Sequence, residues 1–298
     1  MKISLIVCTR DRAARLSPFF DALRRIDRPP FEWELVLVDH ASADDTSVRL
    51  REFASSVDFQ VRPLRVDSHS LSEAKNQAAS RAGGEILAFT DDDCYPRPDY
   101  LMQLAGVFDA HPVGVVGGRV DLFDPTDARV SIRDAADAVS IAPETFVPAG
   151  IMHGANLAIR REVFQAIGGF DRLLGPGTAC VAAEDIDLIA RAVWSGCSAR
   201  YDPAPAVAHH HGRKPGPDTE RVRRGYDRGR GAYYTKFLLR PPARRLYLRK
   251  WWETTRRVKG AAGRRRLVRE VAGGATYLLQ RLRRDRPVAS ERRSAEAS

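Results

Sequence analysis

Cysteine is scarce in this sequence: four residues in 298, at positions 8, 94, 180 and 197, with no CxxC pair among them. That pattern excludes a disulfide framework and a thiolate zinc site, and leads us to expect reduced, mostly buried thiols. Long apolar runs are missing too, since nothing approaches the roughly 18 consecutive residues that a membrane-spanning helix requires. The apolar start Met1 to Cys8 is ended by Thr9-Arg10 too soon for a secretory leader, so a cytoplasmic protein is expected. Internal repeats are absent, as are low-complexity tracts ahead of a basic tail. With 44% hydrophobic residues the chain is not disordered, and its length suits one large domain with an appendage.

Charge is unevenly spread. The net value of +10 combines a tail, residues 213–298, with 26 Lys and Arg against 8 Asp and Glu, and a body, residues 1–212, with 22 against 30. A boundary is therefore expected near His211-Gly212-Arg213, with Gly212 to Asp218 as a linker.

The body alternates short apolar runs with helical patterns, the signature of βαβ units around a mainly parallel sheet. Ile3 to Thr9 reads as a buried strand, followed by a helix that gathers Leu16, Phe19, Phe20, Leu23 and Ile26 on one face. Strands are expected at Glu34 to Val38, Phe59 to Val66 and Glu85 to Thr90, and a helix at Asp44 to Phe53. Ser70-Leu71-Ser72-Glu73 has capping-box spacing and opens a further helix to about Ala82. From about Val113 the pattern changes to Gly-interrupted strands and shorter helices, as in an α+β half, 113–212, that closes over a crevice in the first half, 1–112.

Ligands of open α/β sheets lie beyond the carboxyl ends of the strands, where this sequence is strongly polar. One apolar run ends directly in Asp91-Asp92-Asp93. Three adjacent carboxylates repel one another unless a cation sits among them, and oxygen donors suit Mg²⁺ or Mn²⁺ completed by substrate phosphate. Asp39 ends another strand, where it could accept a hydrogen bond from a nucleotide or simply start a turn. Glu184-Asp185 opens a helix. A metal-bound diphosphate is already a good leaving group, so one such carboxylate suffices as the base for an attacking hydroxyl. His209-His210-His211 offers imidazoles to complete a metal shell.

These residues together resemble glycosyltransferase family 2, of the GT-A fold. The likeness spans Ile3 to about His211. It rests on Leu5 to Arg12, Glu34 to Asp39, Ala41 to Thr46, Ala74-Lys75-Asn76 and Gly84 to Asp93, then on Gly154-Ala155-Asn156, Arg160-Arg161, Gly168 to Asp171, Glu184 to Leu188, Arg191, Gly196 and Tyr201-Asp202-Pro203. The resemblance implies transfer of a sugar from a UDP-, GDP- or dTDP-linked donor to a hydroxyl of a glycan or lipid-linked acceptor. It also implies inversion by single displacement and a place in polysaccharide or cell-envelope synthesis. By position, Thr9 and Asp39 hold the nucleoside, and Arg10, Lys75, Asp91, Asp92 and Glu184 join them on the nucleotide sugar. Asp91 and Asp93 form the metal-binding DxD pair with His209, His211 being its alternative, and Asp185 is the catalytic base. His40 and Lys75 depart from the family pattern, which usually has a second acidic or polar residue and an arginine there; Lys75 keeps the charge but lacks the bidentate fork.

Within the basic helical extension, Arg264 to Arg284 carries Leu267, Val271, Ala275, Leu278 and Leu282 at the spacing of one helical face. Together with Trp251, Trp252 and neighbouring arginines, this suits either peripheral contact with an anionic membrane or packing on the catalytic core, and Gly273-Gly274 weakens the helix in both cases. A nucleic-acid-binding tail is the rival class, but the acidic body gives it no site, so no nucleic acid partner is expected. A sugar-phosphate nucleotidyltransferase would need a Gly-rich loop after the first strand, and Cys8-Thr9-Arg10-Asp11-Arg12 contains no glycine.

Overall fold

The computed structural model describes residues 1–284. The chain opens with β1 (Ile3–Thr9), α1 (Ser17–Arg24), β2 (Trp33–His40), α2 (Thr46–Ser55), β3 (Val61–Val66), α3 (Leu71–Arg81) and β4 (Ile86–Asp91). Every residue of β1 and β2 is buried, without alternation, because helices cover both faces of the sheet. The four strands pair in parallel in the order β3-β2-β1-β4. As expected, α1 buries Phe19, Phe20 and Leu23, and the Ser70 hydroxyl accepts a bond from the Glu73 N–H at 3.4 Å to cap α3. The third strand begins at Val61 rather than Phe59, whose ring stacks on Trp33 instead, with centroids 4.8 Å apart.

The sheet is completed after β5 (Cys94–Pro96), α4 (Tyr100–Ala110), β6 (Val115–Leu122), β7 (Val139–Ile141), β8 (Asn156–Arg160), α5 (Arg161–Ala166), α6 (Glu184–Val193) and β9 (Ala199–His209). Its order is β3-β2-β1-β4-β8-β6-β9-β5, with β7 on β9, and β8 runs antiparallel to both neighbours. Antiparallel pairing of β5 with β9 sets Cys94 opposite His209. A strand three residues long thus delivers a histidine, more than a hundred residues distant in sequence, to the aspartate triplet.

Three helices follow: α7 (Pro217–Leu238), α8 (Pro241–Arg257) and α9 (Gly260–Arg284). The expected linker is shorter than its sequence pattern, because Pro217 already occupies the first helical turn, where its missing N–H costs nothing. Tyr233, Tyr234, Phe237 and Tyr247 are buried in the same cluster as Phe89, Phe170 and Ile189 of the body. The Tyr233 hydroxyl meets that of Tyr247 at 2.7 Å and donates to the Val147 carbonyl at 2.9 Å.

The face of α9 that buries itself is not the apolar one. Leu267, Val271, Ala275, Leu278 and Leu282 are exposed, and the helix packs through Gly263, Glu270, Gly273, Gly274 and Tyr277. A β-carbon at Gly231 of α7 would overlap the Glu270 carbonyl, and one at Gly273 would overlap that of Arg228. The glycines that lower helix propensity are what let the two backbones touch, which corrects the reading of Gly273-Gly274 as a weakness. Arg230–Glu270 and Arg269–Asp227 pairs, both 2.7 Å, tie the seam. The end of the basic extension, residues 285–298, lies outside the described residues. No helix of the described residues is long and apolar enough to cross a membrane.

Candidate active site

A cavity of about 520 Å³ opens at the carboxyl ends of β1 and β4, where the strand order departs in opposite directions. Its wall includes Arg10, Lys75, Asp91, Asp92, Asp93, Glu184, Asp185 and His209. Thr9 and Asp39 are buried beside it rather than in its lining.

The three aspartates differ in environment. Asp92 accepts from the Thr9 hydroxyl and lies 3.5 Å from Arg12, yet burial pushes its carboxyl up to about 6. Burial acts on Asp93 in the same sense, but His209 and the Arg12 guanidinium, at 3.4 and 3.2 Å, more than reverse it and hold Asp93 below the usual range. His209 responds in kind: burial disfavours its charged form, Asp93 favours it, and the net shift is upward. Its Nδ1 is buried with no hydrogen-bond partner. Potential ligand atoms of Asp93, Cys94 and His209 lie within 4.8 Å of one another. Asp91 is not in that tight group; it faces Lys75 from the same cavity. Carboxylate oxygen and imidazole nitrogen form a donor set that fits Mn²⁺ or Mg²⁺, and His209 Nε2, which faces Asp93 at 3.4 Å, is the ring nitrogen placed to join it.

Asp185 sits in the first turn of α6 behind a strained approach, with Val181 at φ 54° and Ala183 at φ 79°, both left-handed without being glycine. Its Oδ2 accepts the Gly154 N–H at 2.9 Å and its Oδ1 the Ile186 N–H at 2.7 Å. These bonds aim the carboxylate, which stays partly exposed toward the cavity. Glu184, buried beside it, is pushed up to about 7, first by desolvation and then by the Asp185 charge. Lys75 is only 2% exposed. Burial alone would depress its ammonium, but Asp91 and Glu184 overcome that and shift it upward. Lys75 thus lies among the carboxylates of the two halves, in the wall of the cavity.

Other residues singled out by the sequence hold turns, loops and helices in place around the cavity. Asp39 accepts from the Ser42 N–H at 3.0 Å, from the Ser47 hydroxyl and from Arg65 at 2.7 Å, which is the turn-starting role. His211 fastens its loop through the Ala128 carbonyl at 3.0 Å, leaving His209 as the histidine at the triplet. Asn76 clasps the backbone N–H and carbonyl of Phe170, and Arg161 donates to the carbonyls of Ala79, Ala82 and Gly84. Asp187 is fully buried between Arg191 at 2.8 Å and Lys236 at 2.7 Å. Sequence reasoning missed Arg12, His153, Arg213, Tyr226 and Arg230, all of which line the cavity. Arg12 lay within a quoted motif; Tyr226 and Arg230 show only an i, i+4 polar spacing that any solvated helix shares.

The match to the glycosyl transferase family 2 model covers residues 4–168. The glycosyltransferase AglE of Haloferax volcanii is 23% identical over 250 residues, 84% of this chain and 79% of the relative. The poly(ribitol-phosphate) beta-N-acetylglucosaminyltransferase TarS of Staphylococcus aureus is 30% identical over 153 residues, 48% of this chain but only 27% of that longer protein. Among solved structures, the fold is shared with the mannosyltransferase PcManGT from Pyrobaculum calidifontis in complex with GDP-Man and Mn²⁺. The TM-score there is 0.65 at 21% identity, over 91% of this chain and 73% of that one. TarS bound to UDP-GlcNAc gives 0.59 at 19% identity, over 80% and 67%. With the family model matched over more than half of its length, and a curled mixed sheet of the GT-A kind, this chain belongs to glycosyl transferase family 2 and is a glycosyltransferase.

Proposed function

We propose that this enzyme transfers a sugar from a nucleotide-diphosphate donor to an acceptor hydroxyl, with inversion at the anomeric carbon and a divalent metal at the diphosphate. The observation that carries the reading is the meeting, in one cavity, of the aspartate triplet with His209 and the backbone-oriented Asp185. Asp93 and His209, joined by Asp91, would hold the metal. When bound, such an ion supplies Lewis-acid stabilisation to the departing diphosphate. Arg12 and Lys75 add fixed positive charge at the same end of the chemistry. Asp185 takes the proton of the acceptor hydroxyl as that oxygen attacks the anomeric carbon from the side opposite the leaving group. Its two backbone donors hold it in one orientation, and no second carboxylate nucleophile is needed for a single displacement. Thr9 acts through Asp92, and Asp39 meets the base once Arg65 yields its outer oxygen. Arg10 and Glu184 complete the donor side.

A thermal-shift panel of UDP, GDP, dTDP and CDP, each with and without Mn²⁺, tests the donor half of this reading. One diphosphate should raise the melting temperature in a metal-dependent way, and Asp93→Ala should abolish that dependence while leaving the protein folded. Equal shifts after exhaustive EDTA treatment would remove the metal from the proposal.

A further inference from the structure

The side of α9 turned away from α7 is apolar and uncovered by the described residues. Val271, Leu279, Leu282 and Val268 are 53%, 57%, 63% and 68% exposed, at the three- and four-residue spacing of a single stripe in which the exposed Ala275 fills the middle. The stripe covers 15 residues, about 21 Å at 1.5 Å per residue. On α8, Leu248 and Trp252 stand exposed one turn apart, with the Arg256 guanidinium over the Trp252 ring. The two helices hold 13 Lys and Arg against two acidic residues. Both acids are already engaged, Glu253 by Lys250 and Glu270 by Arg230, Arg266 and Trp251. Exposed Arg264, Arg265, Arg283 and Arg284 bracket the stripe.

We propose that this stripe is a docking surface for an anionic lipid bilayer, with α9 lying in the plane of the interface. Aliphatic side chains gain by entering the boundary between headgroups and acyl chains, while arginines at the ends and edges reach phosphate groups. Two other occupants fit the same residues worse. Single-stranded nucleic acid is held by stacking on successive exposed aromatic rings, whereas α9 keeps Tyr277 at 3% exposure and α8 offers Trp252, its ring already under the Arg256 guanidinium. A second copy of the chain, meeting this face about a two-fold axis, would set arginine against arginine.

Docking here would be felt at the cavity. Backbone contact at Gly231 and Gly273 binds α9 to α7, the Arg230–Glu270 pair crosses that seam, and Arg230 and Tyr226 of α7 line the cavity. A bilayer-bound helix is therefore one packed contact away from the wall that faces Asp185. Its use, bringing a lipid-linked acceptor hydroxyl to that base, rests on the function proposed above, whereas docking itself does not.

Flotation of the full chain with phosphatidylcholine vesicles, with and without phosphatidylglycerol, at low salt and without nucleotide, tests docking apart from catalysis. The protein should float with the anionic vesicles alone. The double variant Val268→Glu/Leu279→Glu should lower partitioning at least about tenfold with an unchanged melting temperature and metal-dependent nucleotide shift. The milder Leu279→Ser/Leu282→Ser serves the same purpose if the first variant fails to fold. Neutralising one bracketing arginine should cost about fivefold. Failure of the full chain to float, or flotation undiminished by the aliphatic variants, overturns the proposal. So does tight binding of a random RNA without flotation, or a dimer in sedimentation that the double variant dissolves.

Discussion

At the scale of single residues, two neighbours of Asp185 separate chemistry from support. Asp187 is one residue beyond Ile186 on the same helix, yet it is fully buried against Arg191 and Lys236. Asp187→Asn should therefore act on the fold. Breaking a buried ion pair from one side typically costs about 3–5 kcal/mol, so a large drop in the denaturation midpoint is expected, with donor affinity kept by the molecules that remain folded. Glu184 gives a pH signature. Its carboxyl titrates near 7 in the folded protein, above its ordinary value of 4.5. Between those two values the folded state keeps a proton that the unfolded state has lost, so stability must fall as pH rises through that window and level off above it. Melting curves of the wild type and Glu184→Gln across the window should show a steeper decline in the wild type, since the raised Asp92 carboxyl contributes its own decline to both. Parallel curves would mean that Glu184 is not buried as described.

At the scale of elements, much was legible from pattern alone. Continuous apolar runs located β1 and β2 because both faces of that sheet are covered, and the Ser70 cap and Glu73 marked the start of α3. The aspartate triplet and Glu184-Asp185 could be picked out because each adjoins a strand or helix end, whereas the choice of Asp185 and of His209, with His211 as its alternative, came from the family resemblance. What was not legible depends on pairing across long sequence distances. His209 meets Asp93 only through the three-residue β5, and Tyr226 and Arg230 reach the cavity only because α7 folds back on the body. The period of α9 was legible but the choice between membrane contact and packing was not, since hydrophobic spacing cannot reveal that backbone contact at glycine takes the place of aliphatic packing. Gly231→Ala tests that contact directly. The added methyl has no space against the Glu270 carbonyl, so a loss of about 1–3 kcal/mol in urea unfolding is expected, against the small gain alanine normally brings to a helix. An unchanged or raised midpoint would show that the two backbones do not touch.

At the scale of the molecule, residues 1–212 and 213–298 remain our proposed units of charge and chemistry, but the packing makes them one folding unit. Tyr233, Phe237 and Tyr247 complete a cluster shared with Phe170 and Ile189. A fragment ending at residue 212 is expected to be insoluble or unfolded, as judged by circular dichroism. Cooperative melting of that fragment would restore the simpler picture of a detachable tail. The same integration places the aspartate triplet of the first half, Asp185 of the second and side chains of α7 around one cavity. The central claim is that this cavity contains both a binding apparatus and a separate base. Asp185→Asn, assayed for donor Kd by calorimetry and for transfer kcat in the same preparation, tests it most directly. The substitution keeps size and hydrogen bonding while removing the proton acceptor, so Kd should be nearly unchanged and kcat lower by about 10² to 10⁴. Transfer at the wild-type rate, or donor binding lost in proportion to activity, would contradict the account.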